Sequence, residues 1–172
     1  ASDCGATMNG TLTNIDVLQT LVDMAPAGAD RVLCFAPGTV INGSVHLDDL
    51  FGIQRSGTGE QGYHIFENKI TLKGIGTRDQ RTVINTLPEE GMVAAFRPGI
   101  FESRVQFEGF ILKGWIAIEA GNRELAVRRS KFAVRQTLPP GNNPVAIGIR
   151  ALSGDLYDSK LNVQGFAVVS RA

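Results

Sequence analysis

Four short segments of the chain share one pattern, and that pattern limits the fold more than any other feature. They are Ile70-Thr71-Leu72-Lys73-Gly74, Phe110-Ile111-Leu112-Lys113-Gly114, Phe132-Ala133-Val134-Arg135-Gln136 and Leu161-Asn162-Val163-Gln164-Gly165. Each places apolar residues at alternate positions, then a polar residue, then Gly or Gln. Their starts are 40, 22 and 29 residues apart. Five residues before each start stand Ile65, Val105, Val127 and Leu156. Downstream, Ile116 and Ile118 recur as Ile147 and Ile149, then as Phe166 and Val168. Alternation with period two means strands with one buried face.

A unit of about 22 residues carrying several short strands cannot bury its own apolar face, so units must stack. The expected fold class is an all-β solenoid: a right-handed parallel β-helix. Met92-Val93-Ala94-Ala95-Phe96 supplies the strand of a coil inside the 40-residue gap. A β-sandwich would need recurring hairpin signals, and Asn42-Gly43 is the one candidate. A leucine-rich repeat would need a Leu/Asn consensus that is absent.

The first half of the chain reads differently. Residues 1–13 are small and polar and are expected to form an arm without regular structure. A helix is expected over 14–25. Thr13 or Asn14 caps it, Ile15, Leu18, Leu21 and Val22 form its apolar face, and Pro26 and Gly28 stop it. This short helix is expected to cap the N-terminal end of coils spanning 31–172, in one domain of 1–172. Val32–Phe35 and Val45–Leu47 read as strands, Pro37-Gly38 as a turn, and the Gly-rich stretch 54–62 as a loop.

The stretch from Ala29 to Val40, with its strand, Pro-Gly turn and short strand, resembles the opening coil of the pectin-lyase-like superfamily. Ile70–Gly76 followed by Thr82-Val83-Ile84 resembles that family's next coil. The resemblance covers about residues 14–170. It implies the β-helix, and it implies that acidic residues, Arg and Lys on one outward sheet would form any site. It does not select a function, because the superfamily includes lyases, hydrolases, epimerases, adhesins and phage tailspikes.

Charge excludes some partners. Seventeen Lys+Arg balance seventeen Asp+Glu, which gives no basis for nucleic acid as a partner. No apolar run is long enough to span a bilayer as a helix. The two cysteines, Cys4 and Cys34, lack the spacing and companions of a zinc site, so they are expected to form one disulfide that ties the arm to the first strand. A disulfide, and an Ala1-Ser2-Asp3 start that reads as a mature end, point to a secreted, periplasmic or cell-surface location.

Candidate site residues follow from the alignment. It puts Phe107, Arg129 and Asp158 in one column, Glu108, Ser130 and Ser159 in the next, and Gly109, Lys131 and Lys160 in a third. Arg129 over Asp158 would be an ion pair between coils. Arg123, Arg128, Arg129, Lys131 and Arg135 make a local basic patch suited to an anionic polysaccharide. If Ile116 and Ile118 face inward, Trp115 faces outward, where an indole can stack on a sugar or seat in a partner. Glu119 falls over Arg150. The candidate ligand-binding set is therefore Trp115, Arg129, Lys131, Asp158 and Lys160. The acidic pairs Asp48-Asp49, Glu89-Glu90 and Asp155/Asp158 read as turn chemistry. His64 stands beside Tyr63 with no nucleophile at a readable spacing.

No cofactor or metal is implied. The leading expectation is a non-catalytic module binding a glycan or a protein. The alternative is a small lyase or glycoside hydrolase acting on an acidic polysaccharide. The C-terminal coil, Phe166–Ala172, ends without a polar cap, which predicts self-association through it or truncation from a longer protein.

Overall fold

The computed structural model describes residues 3–24, 29–47, 49, 69–86, 94–97, 105–114, 116–119, 125–134, 146–151, 155–157, 160–163 and 165–170. Three parallel sheets run through them. The first has the order β1 (Ala6–Met8), β3 (Arg31–Phe35), β6 (Ile70–Gly74), β9 (Val105–Glu108), β12 (Leu125–Arg128) and β15 (Asp155–Tyr157). The second has the order β2 (Thr11–Leu12), β4 (Val40–Asn42), β7 (Thr82–Asn85), β10 (Phe110–Gly114), β13 (Lys131–Val134) and β16 (Lys160–Val163). The third has β5 (Val45–His46), β8 (Ala94–Arg97), β11 (Ile116–Glu119), β14 (Ala146–Ala151) and β17 (Gly165–Ser170). From β3 onward the chain visits the first, second and third sheets in turn.

The opening of the chain differs from expectation. The segment expected to be an unstructured arm supplies β1 and β2, and helix α1 (Asn14–Asp23) follows them. Neighbouring parallel strands need a long crossover, usually a helix. Between β1 and β3 that crossover contains β2 and α1. The result is parallel sheets with a helix built into the chain path, an α/β-like arrangement. It replaces the expected all-β right-handed β-helix, in which a capping helix precedes every coil.

Helix α1 starts at a capping box. The Asp16 carboxylate accepts from the backbone N–H of Thr13 at 2.7 Å, and Thr13 Oγ1 accepts from the backbone N–H of Asp16 at 3.4 Å. Its buried face is Val17, Leu18, Leu21 and Val22. Ile15, expected on that face, is 68% exposed, and Val17 takes its place. The helix ends without a basic residue in its last turn. Arg31 of β3 supplies one instead. Its Nε donates to the carbonyl of Leu21 at 3.0 Å and one Nη donates to that of Ala29 at 3.1 Å. Arg31 is only 3% exposed, and desolvation lowers the pKa of its guanidinium.

The core is continuous from the helix into the sheets. Val17, Leu18, Leu21 and Val22 join Leu33 and Phe35 of β3, Ile41 of β4 and Val45 of β5. Further along, Leu72, Ile84, Phe107, Phe110, Leu112 and Val127 are buried. Phe110 stacks on Phe107 at 4.0 Å between ring centroids and meets Phe35 edge-on at 5.5 Å. The Cys4–Cys34 disulfide ties the segment before β1 to β3.

Two glycines let the backbones of neighbouring turns touch. A Cβ on Gly109 would lie 2.4 Å from the carbonyl oxygen of Gly74, and one on Gly74 would lie 2.5 Å from that of Gly109. Gly109 also has a φ of 79°. Only a residue without Cβ fits both conditions.

The register corrects the sequence alignment in three places, one of them on the second sheet, where Leu112 and not Phe110 pairs with Phe132. Ile70–Gly74 belongs to the first sheet and pairs with Val105–Glu108, whereas Phe110–Gly114 belongs to the second. Val105 pairs with Leu125, and Phe107 with Val127, two residues away from the expected match. In the third sheet, Ile116 and Ile118 pair with Ile147 and Ile149, which pair with Phe166 and Val168, as the repeat indicates.

Candidate anion-binding corner

The basic residues gather where the first sheet passes into the second. Strand β9 ends at Glu108, Gly109 turns the chain, and β10 begins at Phe110. One turn later β12 ends at Arg128, Arg129 and Ser130 turn the chain, and β13 begins at Lys131. The two turns are stitched together. The N–H of Gly109 donates to the carbonyl of Arg128 at 3.1 Å. The N–H of Phe110 donates to Ser130 Oγ at 3.3 Å, and that hydroxyl donates to the carbonyl of Arg128 at 2.9 Å. Ser130 is fully buried, so its hydroxyl completes the corner in place of water.

Arg129 has a φ of 46°, the left-handed region that non-glycine residues seldom occupy. Its guanidinium forms an ion pair with Glu108 of the preceding turn. Gln106 Nε2 approaches the other carboxylate oxygen at 3.5 Å. The two partners are unequally exposed: 60% of the Arg129 side chain is accessible, against 13% of Glu108.

Register extends the charge pattern along the stack. On the first sheet Lys73 pairs with Glu108 and Glu108 with Arg128. On the second sheet Ile111 pairs with Lys131 and Lys131 with Lys160. Two lysines thus occupy the same position of adjacent strands, and no acid stands in register between or beside them among the described residues. Strand spacing is about 4.8 Å, and like charges at that position destabilise a sheet.

Arg129, Lys131 and Lys160 of the sequence-derived set therefore fall at or beside one corner. Trp115 and Asp158 lie outside the described residues. The partner of Arg129 is Glu108, which the sequence alignment had put beside Ser130 and Ser159. With the register moved by two residues, Glu108 falls beside Arg128 and within reach of Arg129. Glu119 and Arg150 are paired positions of β11 and β14. Asp155 pairs with Ala126 at the end of the first sheet. Tyr63, His64, Asp48, Glu89, Glu90, Arg123, Arg135 and the Gly-rich stretch 54–62 lie outside the described residues.

A second polar group surrounds the start of α1. Asn14 Oδ1 accepts from the backbone N–H of His46 at 3.0 Å, and Asn14 Nδ2 donates to the Asp49 carboxylate at 2.9 Å. His46 Nδ1 lies 3.9 Å from the same carboxylate. These contacts fasten the helix start to the edge strand β5, where an unpaired backbone would otherwise be open to another chain. Among the described residues no group of three His, Cys, Asp or Glu side chains is arranged to hold a metal ion. No helix among them is long and apolar enough to cross a membrane.

Comparison with known protein families, with characterised proteins and with solved structures finds no match.

Proposed function

We propose that the protein is a non-catalytic binding module of the secreted or cell-surface kind, and that its ligand is an acidic glycan held at the corner of Arg129, Lys131 and Lys160. The observation that carries this reading is the register of Lys131 on Lys160. Two lysines at one position of neighbouring strands reduce stability, and a polyanion lying along the stack would turn that cost into affinity. The Cys4–Cys34 disulfide supports an oxidising compartment.

A glycosidase needs two carboxylates facing each other across a sugar. The carboxylate at this corner, Glu108, is engaged by Arg129 and Gln106. A binding role fits that arrangement better than acid–base chemistry.

The test is a panel of acidic and neutral polysaccharides, incubated with and without calcium, with bound protein and shortened or unsaturated product read together. Binding of the acidic members without product, weakened in Lys131→Ala and Lys160→Ala, is the expected result. Product formation would replace this reading with the enzymatic one. Binding lost in Trp115→Ala but unchanged in the lysine variants would move the site to the indole.

A further inference from the structure

We infer that Glu108 is a built-in competitor for the ligand: its carboxylate neutralises Arg129 from behind, and an anionic group of an acidic polysaccharide must bind the same guanidinium against that negative charge. The inference rests on the reading that this corner binds polyanions, and it adds the residue that sets how tightly.

The local charges are uneven. Glu108 stands in one column between Lys73 and Arg128, and Arg129 reaches it from the turn after β12. One carboxylate therefore lies within a set of three cations. Exposure is uneven too. The carboxylate is largely covered, while most of the Arg129 side chain faces solvent. A guanidinium has five donors in a planar fork, so its outer edge can receive a second carboxylate or a sulfate while Glu108 still lies behind it. The incoming anion then meets a neutralised cation with a negative charge just beneath.

Glu108 could act in two opposing ways. As a positioning group it would hold Arg129 ready, and removing it would weaken binding. As a competitor it would lower the local potential, and removing it would strengthen binding. Two observations favour the competitor. The turn, with its left-handed Arg129 and the buried Ser130 hydroxyl, already fixes where the side chain starts. In addition, association with a polyanion responds to the net charge of the whole patch, which one carboxylate lowers by a full unit.

The experiment uses the full chain, its disulfide intact, with polygalacturonate (carboxylate) and heparin (sulfate) as separate probes. Affinity is measured across a salt series for the parent, Glu108→Gln, Arg129→Ala and the double variant. Glu108→Gln is expected to bind about three- to fivefold more tightly, the size of an exposed ion pair released, with a steeper salt dependence. Arg129→Ala is expected to bind more weakly, and the Gln substitution is expected to add less in its background. A preference for one probe shows which anionic group the corner takes. Unchanged or weaker binding by Glu108→Gln, with the parent still binding, overturns the competitor and leaves the binding module standing. No binding by any variant to either probe removes both. Should Glu108→Gln not fold, Glu108→Ser, which also removes the negative charge, must bind more tightly than the parent or the inference falls.

Discussion

Three glycines separate two costs that usually come together. Gly10 has a φ of 81°, and a Cβ there would meet nothing within 4 Å. Gly74 is not in the left-handed region, but its Cβ would lie 2.5 Å from the Gly109 carbonyl oxygen and 3.0 Å from Thr82 Oγ1. Gly109 combines both: a φ of 79° and an approach of 2.4 Å to the Gly74 carbonyl oxygen. Left-handed backbone costs an L residue about 1–2 kcal/mol, and the stiffer unfolded chain of Ala returns about 0.4–1 kcal/mol. Gly10→Ala should therefore destabilise by only about 0–1.5 kcal/mol. Gly74→Ala must push two backbones apart, which costs about 1–3 kcal/mol by analogy with overpacking. Gly109→Ala bears both and should lose about 1–4.5 kcal/mol. For a chain of 172 residues, this corresponds to a fall in Tm of roughly 2–18 °C. Urea unfolding, compared at constant m-value, measures all three. The Gly74→Ala/Gly109→Ala double variant should lose less than the sum, because both substitutions open the same gap. If Gly109→Ala is no worse than Gly10→Ala, the contact between the two turns does not constrain the fold and the reasoning fails.

Other expectations concern the first third of the chain. Replacing Cys4 and Cys34 by Ser removes a link spanning 30 residues of sequence; loop entropy sets the loss at about 3–4 kcal/mol, readable by denaturant midpoint. Arg31→Met keeps the apolar stem but leaves the carbonyls of Leu21 and Ala29 without donors. Relief of the buried charge offsets part of that, so a net loss of about 1–3 kcal/mol is expected, and an equally stable variant would show that the guanidinium is dispensable. Hydrogen bonds from Thr13 hold the Asp16 carboxyl below its ordinary value of 3.8. A depressed folded-state value means that its stabilisation is complete above that ordinary value and disappears as pH falls through the folded one. Acid titration of stability should therefore show a shallower decline in Asp16→Asn, which has no carboxyl to protonate. Thr13→Ala should lose about 1 kcal/mol through the same cap.

Parts of this arrangement could be read in the sequence because they rest on period two alone. Ile116 and Ile118, Ile147 and Ile149, and Phe166 and Val168 are three equally spaced pairs, and the register matches them as the repeat indicates. The same periodicity explains the errors. A period-two pattern shifted by two residues still places apolar side chains inward. Val105 could thus be matched to Val127, although it pairs with Leu125. That slip separated Glu108 from Arg128 and hid the ion pair with Arg129. Ile70–Gly74 and Phe110–Gly114 share the letters apolar-x-apolar-Lys-Gly but lie in different sheets, because local pattern carries no record of which sheet a strand joins. Strands of three and two residues, Ala6–Met8 and Thr11–Leu12, are too short for alternation to be visible. Pairing with Arg31–Phe35 and Val40–Asn42 and the link to Cys34 hold them. Val17 displaced Ile15 from the buried face of α1 because neighbouring strands, not the helix alone, decide which side is covered.

The order in which strands pair also bears on how the chain is made. In every sheet each described strand after the first pairs with one that lies earlier in the sequence: β6 rests on β3, β7 on β4, β8 on β5, and so on to β17 on β14. During synthesis, each of these later strands leaving the ribosome finds its template already laid down, and nothing still to be translated is needed to pair it. Along the described residues that growth runs one way, from β1 and β2 past α1 to β17.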